Sequence, residues 1–201
     1  LLDAGFAAGT AFGLVSGLVI VLGRLQPIIV TWATGAIAMG LALIIRPTPG
    51  GNVDGDLNWA LTNSLREFGD VYGFADGGRA DWFQPIAWIP VPLIILFGIT
   101  LAVWLPFRRT VTGRTLYAIG SAEGAAYMSG LPIARAKIAA FTLAGFFAGC
   151  AGLYLALQTS TGNADIPQAG AYTLNSIASV VLGGISLLGG IGSALGALIG
   201  A

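Results

Sequence analysis

Four stretches of this sequence, Ala4–Leu22, Pro27–Ile45, Ile86–Phe107 and Ile138–Leu157, contain no charged residue. A helix needs about 20 apolar residues to cross the hydrocarbon core of a bilayer. Each stretch meets that length. In lipid a backbone amide finds no water, so a spanning segment must satisfy its own hydrogen bonds, and a helix does so. The fold class read from the sequence is all-α: a polytopic helical membrane protein with about four full spans. A fifth region, Tyr172–Ala201, is also uncharged but is interrupted by glycines. It reads as a glycine-broken or re-entrant C-terminal segment.

Composition points the same way and removes other classes. Of the 201 residues, 56% are hydrophobic and 9% charged, against about 25% charged in a soluble domain. Disorder requires low hydrophobicity and high charge. Nucleic-acid binding requires a basic surface, and the formal net charge here is +0. Cys150 stands alone and histidine is absent, which leaves no disulfide scaffold and no zinc or haem constellation. Lys137, the only lysine, follows Ala136 with no glycine-rich phosphate loop before it. Gly190, Gly192 and Gly196 approach a dinucleotide-binding pattern, but the spacing is wrong and no strand precedes them. No catalytic residue, metal or cofactor is therefore expected, and the chain does not read as an enzyme. Acid pairs such as Asp54 and Asp56 lie in a polar loop and read as a solvated face. No charged residue lies inside a span, where ion-coupled carriers place their titratable sites. A transporter of this composition would draw its energy from a partner.

The loops set an orientation. Arg108, Arg109, Arg114, Arg135 and Lys137 cluster in the 108–137 loop with Glu123 as the only acid. The 46–85 loop carries Arg46, Arg66 and Arg79 against Asp54, Asp56, Glu67, Asp70, Asp76 and Asp81. Basic loops favour the cytoplasmic side, so 108–137 and Arg24 are expected inside and 46–85 outside. Trp88 and Trp104 near the ends of the third span fit an aromatic belt. In the outer loop Leu57, Leu61, Leu65 and Phe68 recur at helical spacing, with Asp56 as N-cap and Gly69 as stop. Such a helix could lie on the membrane, pack over the bundle or dock a partner. Leu1-Leu2-Asp3 lacks the basic start of a cleavable signal peptide. The absence of an initiating Met, and an end inside an apolar run, read as a piece of a longer protein.

Glycines mark packing surfaces. Gly5, Gly9, Gly13 and Gly17 form one stripe along a helix face, and Gly145 with Gly149, and Gly192, Gly196 and Gly200, repeat the spacing. Small residues let membrane helices approach closely. Gly183-Gly184 and Gly189-Gly190 are different, because paired glycines weaken a helix by about 1 kcal/mol each. A broken helix lining a solute path and a turn between two hydrophobic helices both fit them. Asn175, Ser179, Gly183, Gly184 and Ser186 are the candidate path residues, since polar groups in an apolar region could meet a polar solute.

In the 108–137 loop, Ser121 can cap a helix of about two turns, with Glu123 near its positive end and Gly130 and Pro132 ending it. Tyr127, Met128 and small residues form its exposed face. A helix this short is stable only when docked, either in a partner's groove or on its own bundle.

The run Gly113–Pro132 (GRTLYAIGSAEGAAYMSGLP) resembles the cytoplasmic coupling segment of bacterial ABC sugar permeases of the ribose/xylose/arabinose/galactose type, which are related to branched-chain amino acid permeases. The run Ile177–Ala201 is similar to a second hallmark of that family, and Leu22–Pro27 fits the turn before a span. The resemblance covers nearly the whole chain. It implies one partial permease domain, 1–201, with a periplasmic loop at 46–85 and a cytoplasmic coupling loop at 108–137. It implies a multi-pass protein of the bacterial inner membrane whose partners are ABC ATPase subunits, a second permease subunit and a periplasmic solute-binding protein. By the same resemblance Arg114, Gly120, Glu123, Ala126, Ser129 and Gly130 would couple to the ATPase, and family members continue beyond both ends of this chain. The implied function is ATP-driven import of a small polar solute, foremost a monosaccharide. The competing expectations are a branched-chain amino acid permease, a passive channel and a membrane scaffold.

Overall fold

A computed structural model describes residues 2–51, 55–65, 88–164, 169–187 and 189–201. The described residues form α1 (Leu2–Gly23), α2 (Pro27–Ile45), α3 (Gly55–Thr62), α4 (Val91–Arg109), α5 (Val111–Met128), α6 (Ile133–Gln158), α7 (Ala169–Leu182) and α8 (Ala194–Gly200). Among them there is no strand, only two isolated bridges. α1, α2, α4 and α6 are long and apolar enough to cross a membrane, so the all-α polytopic class holds.

The boundaries shift at two spans. α4 begins at Val91; Pro90 caps it and Pro92 sits in its first turn, where proline lacks no needed hydrogen bond. The expected start at Ile86 lies outside the described residues. α6 begins at Ile133 instead of Ile138, immediately after Pro132. Charge marks where a helix leaves lipid, not where it starts, so Arg135 and Lys137 ride on its first turns.

The glycine stripes pair α1 with α6. Gly5 faces Leu153, Gly9 faces Gly145 and Gly149, Gly13 faces Gly145 and Phe141, and Gly17 faces Ile138. The α1 numbers rise as the α6 numbers fall, so the two helices are antiparallel. A Cβ on Gly13 would sit 2.4 Å from the Phe141 carbonyl oxygen, and one on Gly145 would sit 2.4 Å from that of Gly9. Phe6 and Phe146 stack beside the seam with ring centroids 5.7 Å apart. α2 joins α1 through one polar contact, Ser16 Oγ donating to Thr34 Oγ1 at 2.9 Å. Large apolar side chains such as Trp32 (72% exposed) and Ile44 (79%) cover the outside, as a lipid-solvated surface requires.

One end of the bundle joins α2, α3, α4 and α6. Gly50 and Gly162 exchange backbone hydrogen bonds at 3.1 and 3.0 Å. The Asn58 amide donates to the Leu157 carbonyl at 2.6 Å and to Ser160 Oγ at 2.5 Å. The outer-loop helix thus packs over the bundle end. It starts at Gly55, which puts Asp56 in its first turn and not at the cap. It ends at Thr62; Phe68 and Gly69 lie outside the described residues. The opposite end gathers Arg24, Arg108, Arg109, Arg114, Arg135 and Lys137.

The C-terminal region is a helical hairpin. α7 spans 14 residues, about 21 Å at the usual rise, too short for a core of about 30 Å. It ends with Ile185 N–H donating to the Val180 carbonyl and Gly184 N–H to that of Val181, the double bond of a Schellman stop. Gly184 makes it possible with φ +78°. Ser193 then caps α8 by accepting from Gly196 N–H at 3.0 Å. α8 packs back on α7, with Gly196 against Gly183 and Gly200 against Ser179.

Candidate functional site

The stretch expected to be a loop holding a two-turn helix is helical almost throughout. Thr110 separates α4 from α5 and serves both. Its hydroxyl donates to the Phe107 carbonyl at 2.6 Å and accepts from Gly113 N–H at 3.1 Å, capping α5. Gly113 is buried in this corner, where a Cβ would lie 2.2 Å from the Phe107 oxygen. The expectation underrated 111–121 because its Arg and Gly look loop-like. Arg114 is a good helix former, and the Thr110 cap offsets part of the about 1 kcal/mol that Gly113 and Gly120 each cost.

α5 breaks at Ala122 (φ −161°, ψ 96°). The short helix read from the sequence is the part after this break. Its start is set by Ala122 and not by a Ser121 cap; the Ser121 hydroxyl donates backward to the Tyr117 carbonyl at 3.1 Å. Its end falls as read. Leu131 N–H donates to Ala126 and Gly130 N–H to Tyr127, and Gly130 takes φ +73°, which a residue with a Cβ adopts reluctantly.

Of the residues singled out for coupling, Glu123, Ser129 and Gly130 are exposed on this terminal piece. Glu123 pairs with Lys137 of α6 at 2.5 Å, and Ser129 Oγ donates to the Ala125 carbonyl at 2.9 Å. Ala126 is buried (4% exposed) and anchors the piece to the bundle, whereas Tyr127 (73%) and Met128 (86%) project outward. Arg114 and Gly120 lie before the break.

Gly120 packs on the stretch that follows the second group of candidates. The loop between α7 and α8 folds against it, and a Cβ on Gly120 would sit 2.0 Å from the Gly190 nitrogen. Three residues earlier the Tyr117 hydroxyl donates to the Gly192 carbonyl at 3.0 Å. Behind this contact is a cavity of about 390 Å³ between α4, α5, α6 and the loop, mostly apolar, to which Ser186 contributes. Ser186 is the only path candidate lining it. Gly183 is occupied by Gly196, and Gly184 is exposed in the turn. Asn175 is exposed on α7, and its carbonyl accepts from Ser179 Oγ at 2.6 Å. Tyr117 and its bond to Gly192 were missed by the sequence reading, although Gly189 and Gly192 were among the glycines it marked. Their signal is only a Tyr three residues before a Gly, and nothing local says which distant loop it meets. Among the described residues no group of metal-ligating side chains exists.

The family profile described as branched-chain amino acid transport system permease component matches residues 1–201. The ribose import permease protein of Bacillus subtilis strain 168 is 38% identical over 186 residues, 92% of this chain and 51% of that protein. That of Escherichia coli K12 is 34% identical over 199 residues, 98% of this chain and 56% of that protein. The L-arabinose ABC transporter permease protein of Azospirillum brasilense is 36% identical over 196 residues, 98% of this chain and 51% of that protein. The chain thus spans about half the length of the curated relatives it matches. No solved structure matches it significantly.

Proposed function

This chain belongs to the branched-chain amino acid transport system permease family, and from that premise we propose that it is part of the membrane-spanning subunit of an ATP-driven sugar importer. The observation that carries the solute class is the similarity of almost the entire chain to permeases named for ribose and arabinose. Transport needs no catalytic group of its own. ATP hydrolysis falls to a separate ATPase subunit, and a binding protein delivers the solute outside the inner membrane. The 108–137 region faces the cytoplasm and 46–85 the periplasm, because the basic residues gather at the α5 end.

In this reading the helix after Ala122 is the element an ATPase grips. It is short, held to α6 by Ala126 and the Glu123–Lys137 pair, and it presents Tyr127 and Met128. A pull on it reaches the rest of α5 and, through Gly120 and Tyr117, the loop 183–193. A rigid segment in a partner's cleft can turn closure of that partner into movement of the spans. Ser186, Gly183 and Gly184 would then move with the loop, and Asn175 and Ser179 with α7.

The test is uptake of labelled ribose and arabinose by proteoliposomes holding the full-length protein, its ATPase and its binding protein. ATP-dependent sugar uptake that leucine does not compete supports the reading. Leucine uptake instead establishes the branched-chain amino acid alternative that the family description favours. Flux without ATP or partners establishes a passive channel.

A further inference from the structure

Three arginines lie where α4 passes into α5. Arg108, Arg109 and Arg114 line one cavity of about 480 Å³ with Leu105 and Tyr117. Among the described residues no carboxylate pairs with any of the three; the one ion pair joins Glu123 to Lys137. All three are exposed, and like charges near one another favour an anion between them.

Its depth says which anion. Arg108 and Arg109 are the last two residues of a membrane-spanning helix. The Arg108 guanidinium lies 5.1 Å over the ring of Trp104, and Trp with Arg at a helix end is the anchoring of the headgroup layer. The cationic cavity also adjoins an apolar one. Arg108 and Tyr117 line both it and the 390 Å³ cavity, whose walls include Trp104, Phe107, Leu143 and Phe147. A charged compartment beside an apolar compartment at headgroup depth matches an amphiphile with an anionic head and a hydrocarbon tail.

We propose that this paired cavity binds an anionic phospholipid, with the phosphate among Arg108, Arg109 and Arg114 and one acyl chain beside Leu143 and Phe147. Guanidinium groups take phosphate oxygens in pairs, which suits them to this site over lysine. The inference rests on α4 crossing a bilayer and not on the solute transported. A lipid here would touch α4, α5 and the loop that Gly120 and Tyr117 hold.

The test places full-length protein in phosphatidylcholine nanodiscs with a small fraction of phosphatidylglycerol and measures retained lipid by native mass spectrometry. The expected result is preferential retention of phosphatidylglycerol. The Arg109→Gln/Arg114→Gln variant is expected to reduce retention about fivefold for each arginine removed. Arg24, Arg108, Arg135 and Lys137 still mark that end, so insertion is expected to persist. As a second arm, Ala144→Phe narrows the apolar cavity and leaves every charge in place; it too is expected to lower retention. Equal retention of the two lipids, or undiminished phosphatidylglycerol in the arginine variant, overturns the proposal. So does displacement of the lipid by inorganic phosphate with Ala144→Phe silent, which identifies a free-phosphate site. Loss of ATPase co-purification with lipid retention intact also overturns it and assigns the arginines to an acidic protein face.

Discussion

The α-carbon of Gly120 lies against the Gly190 backbone so closely that a methyl group there would sit 2.0 Å from the Gly190 nitrogen. This contact joins the segment proposed to receive the ATPase with the loop proposed to line the path. Backbone cannot withdraw as a flexible side chain can. Gly120→Val is therefore expected to push the loop off α5 and to cost about 1–3 kcal/mol, the usual range for overpacking. Thermal denaturation of the full-length protein in detergent should show a lowered midpoint, and uptake should fall. Tyr117→Phe removes only the bond to Gly192 and should cost about 1 kcal/mol. A Gly120→Val protein with wild-type stability and uptake would disprove the linkage.

The α1–α6 seam offers a sharper contrast. Gly13 and Gly145 each leave less than 3 Å for a Cβ before it meets backbone. Gly13→Leu is expected to separate the helices and sharply reduce the yield of folded protein. Gly35 of α2 has nothing within 4 Å of its Cβ position. Gly35→Ala should be neutral or stabilising, by up to about 1 kcal/mol of helix propensity. Thermal midpoints of the two variants, measured side by side, check this; similar losses in both would mean the seam does not exist.

Two helix ends use the same left-handed turn with opposite residue choices. Gly130 has φ +73° and Arg24 has φ +49°. Gly130→Ala is expected to destabilise by about 1 kcal/mol, and Arg24→Gly to stabilise by a similar amount. Chemical denaturation of each variant reads the sign directly.

Glu123 and Lys137 form an ion pair at 2.5 Å, but the Glu123 side chain is 56% exposed. Such a pair contributes less than about 1 kcal/mol in water. Glu123→Lys should thus leave stability nearly unchanged and still uncouple ATP hydrolysis from uptake. The exchanged variant Glu123→Lys/Lys137→Glu restores the pair. Recovery of coupling there would show that Glu123 acts only by holding α5 to α6. Continued uncoupling, the expected outcome, places its role against the partner.

Asn58 ties α3 to the end of α6 through Leu157 and Ser160. Asn58→Ala leaves a partly buried carbonyl with one fewer donor and should cost about 1–3 kcal/mol. Increased proteolysis of the 46–65 segment, with uptake measured in parallel, checks whether this end matters beyond stability.

The sequence by itself determined the membrane class, the spans and the glycine faces. These depend on properties read along one segment: length without charge, and spacing around a helix. The α1 and α6 stripes were visible as packing faces for that reason. The Gly130 stop was equally local, because a Schellman turn is completed within six residues. Only the tertiary structure decided that the α1 stripe meets the α6 stripe, that Gly120 meets Gly190, and that α5 runs from Thr110 and breaks at Ala122. Ser186 separates from Asn175 among the path candidates for the same kind of reason. A glycine announces that something can come close, yet what comes close is set by the folding of residues some 70 positions away. Close backbone contact has no side-chain signature of its own, so the pairing is written only in three dimensions.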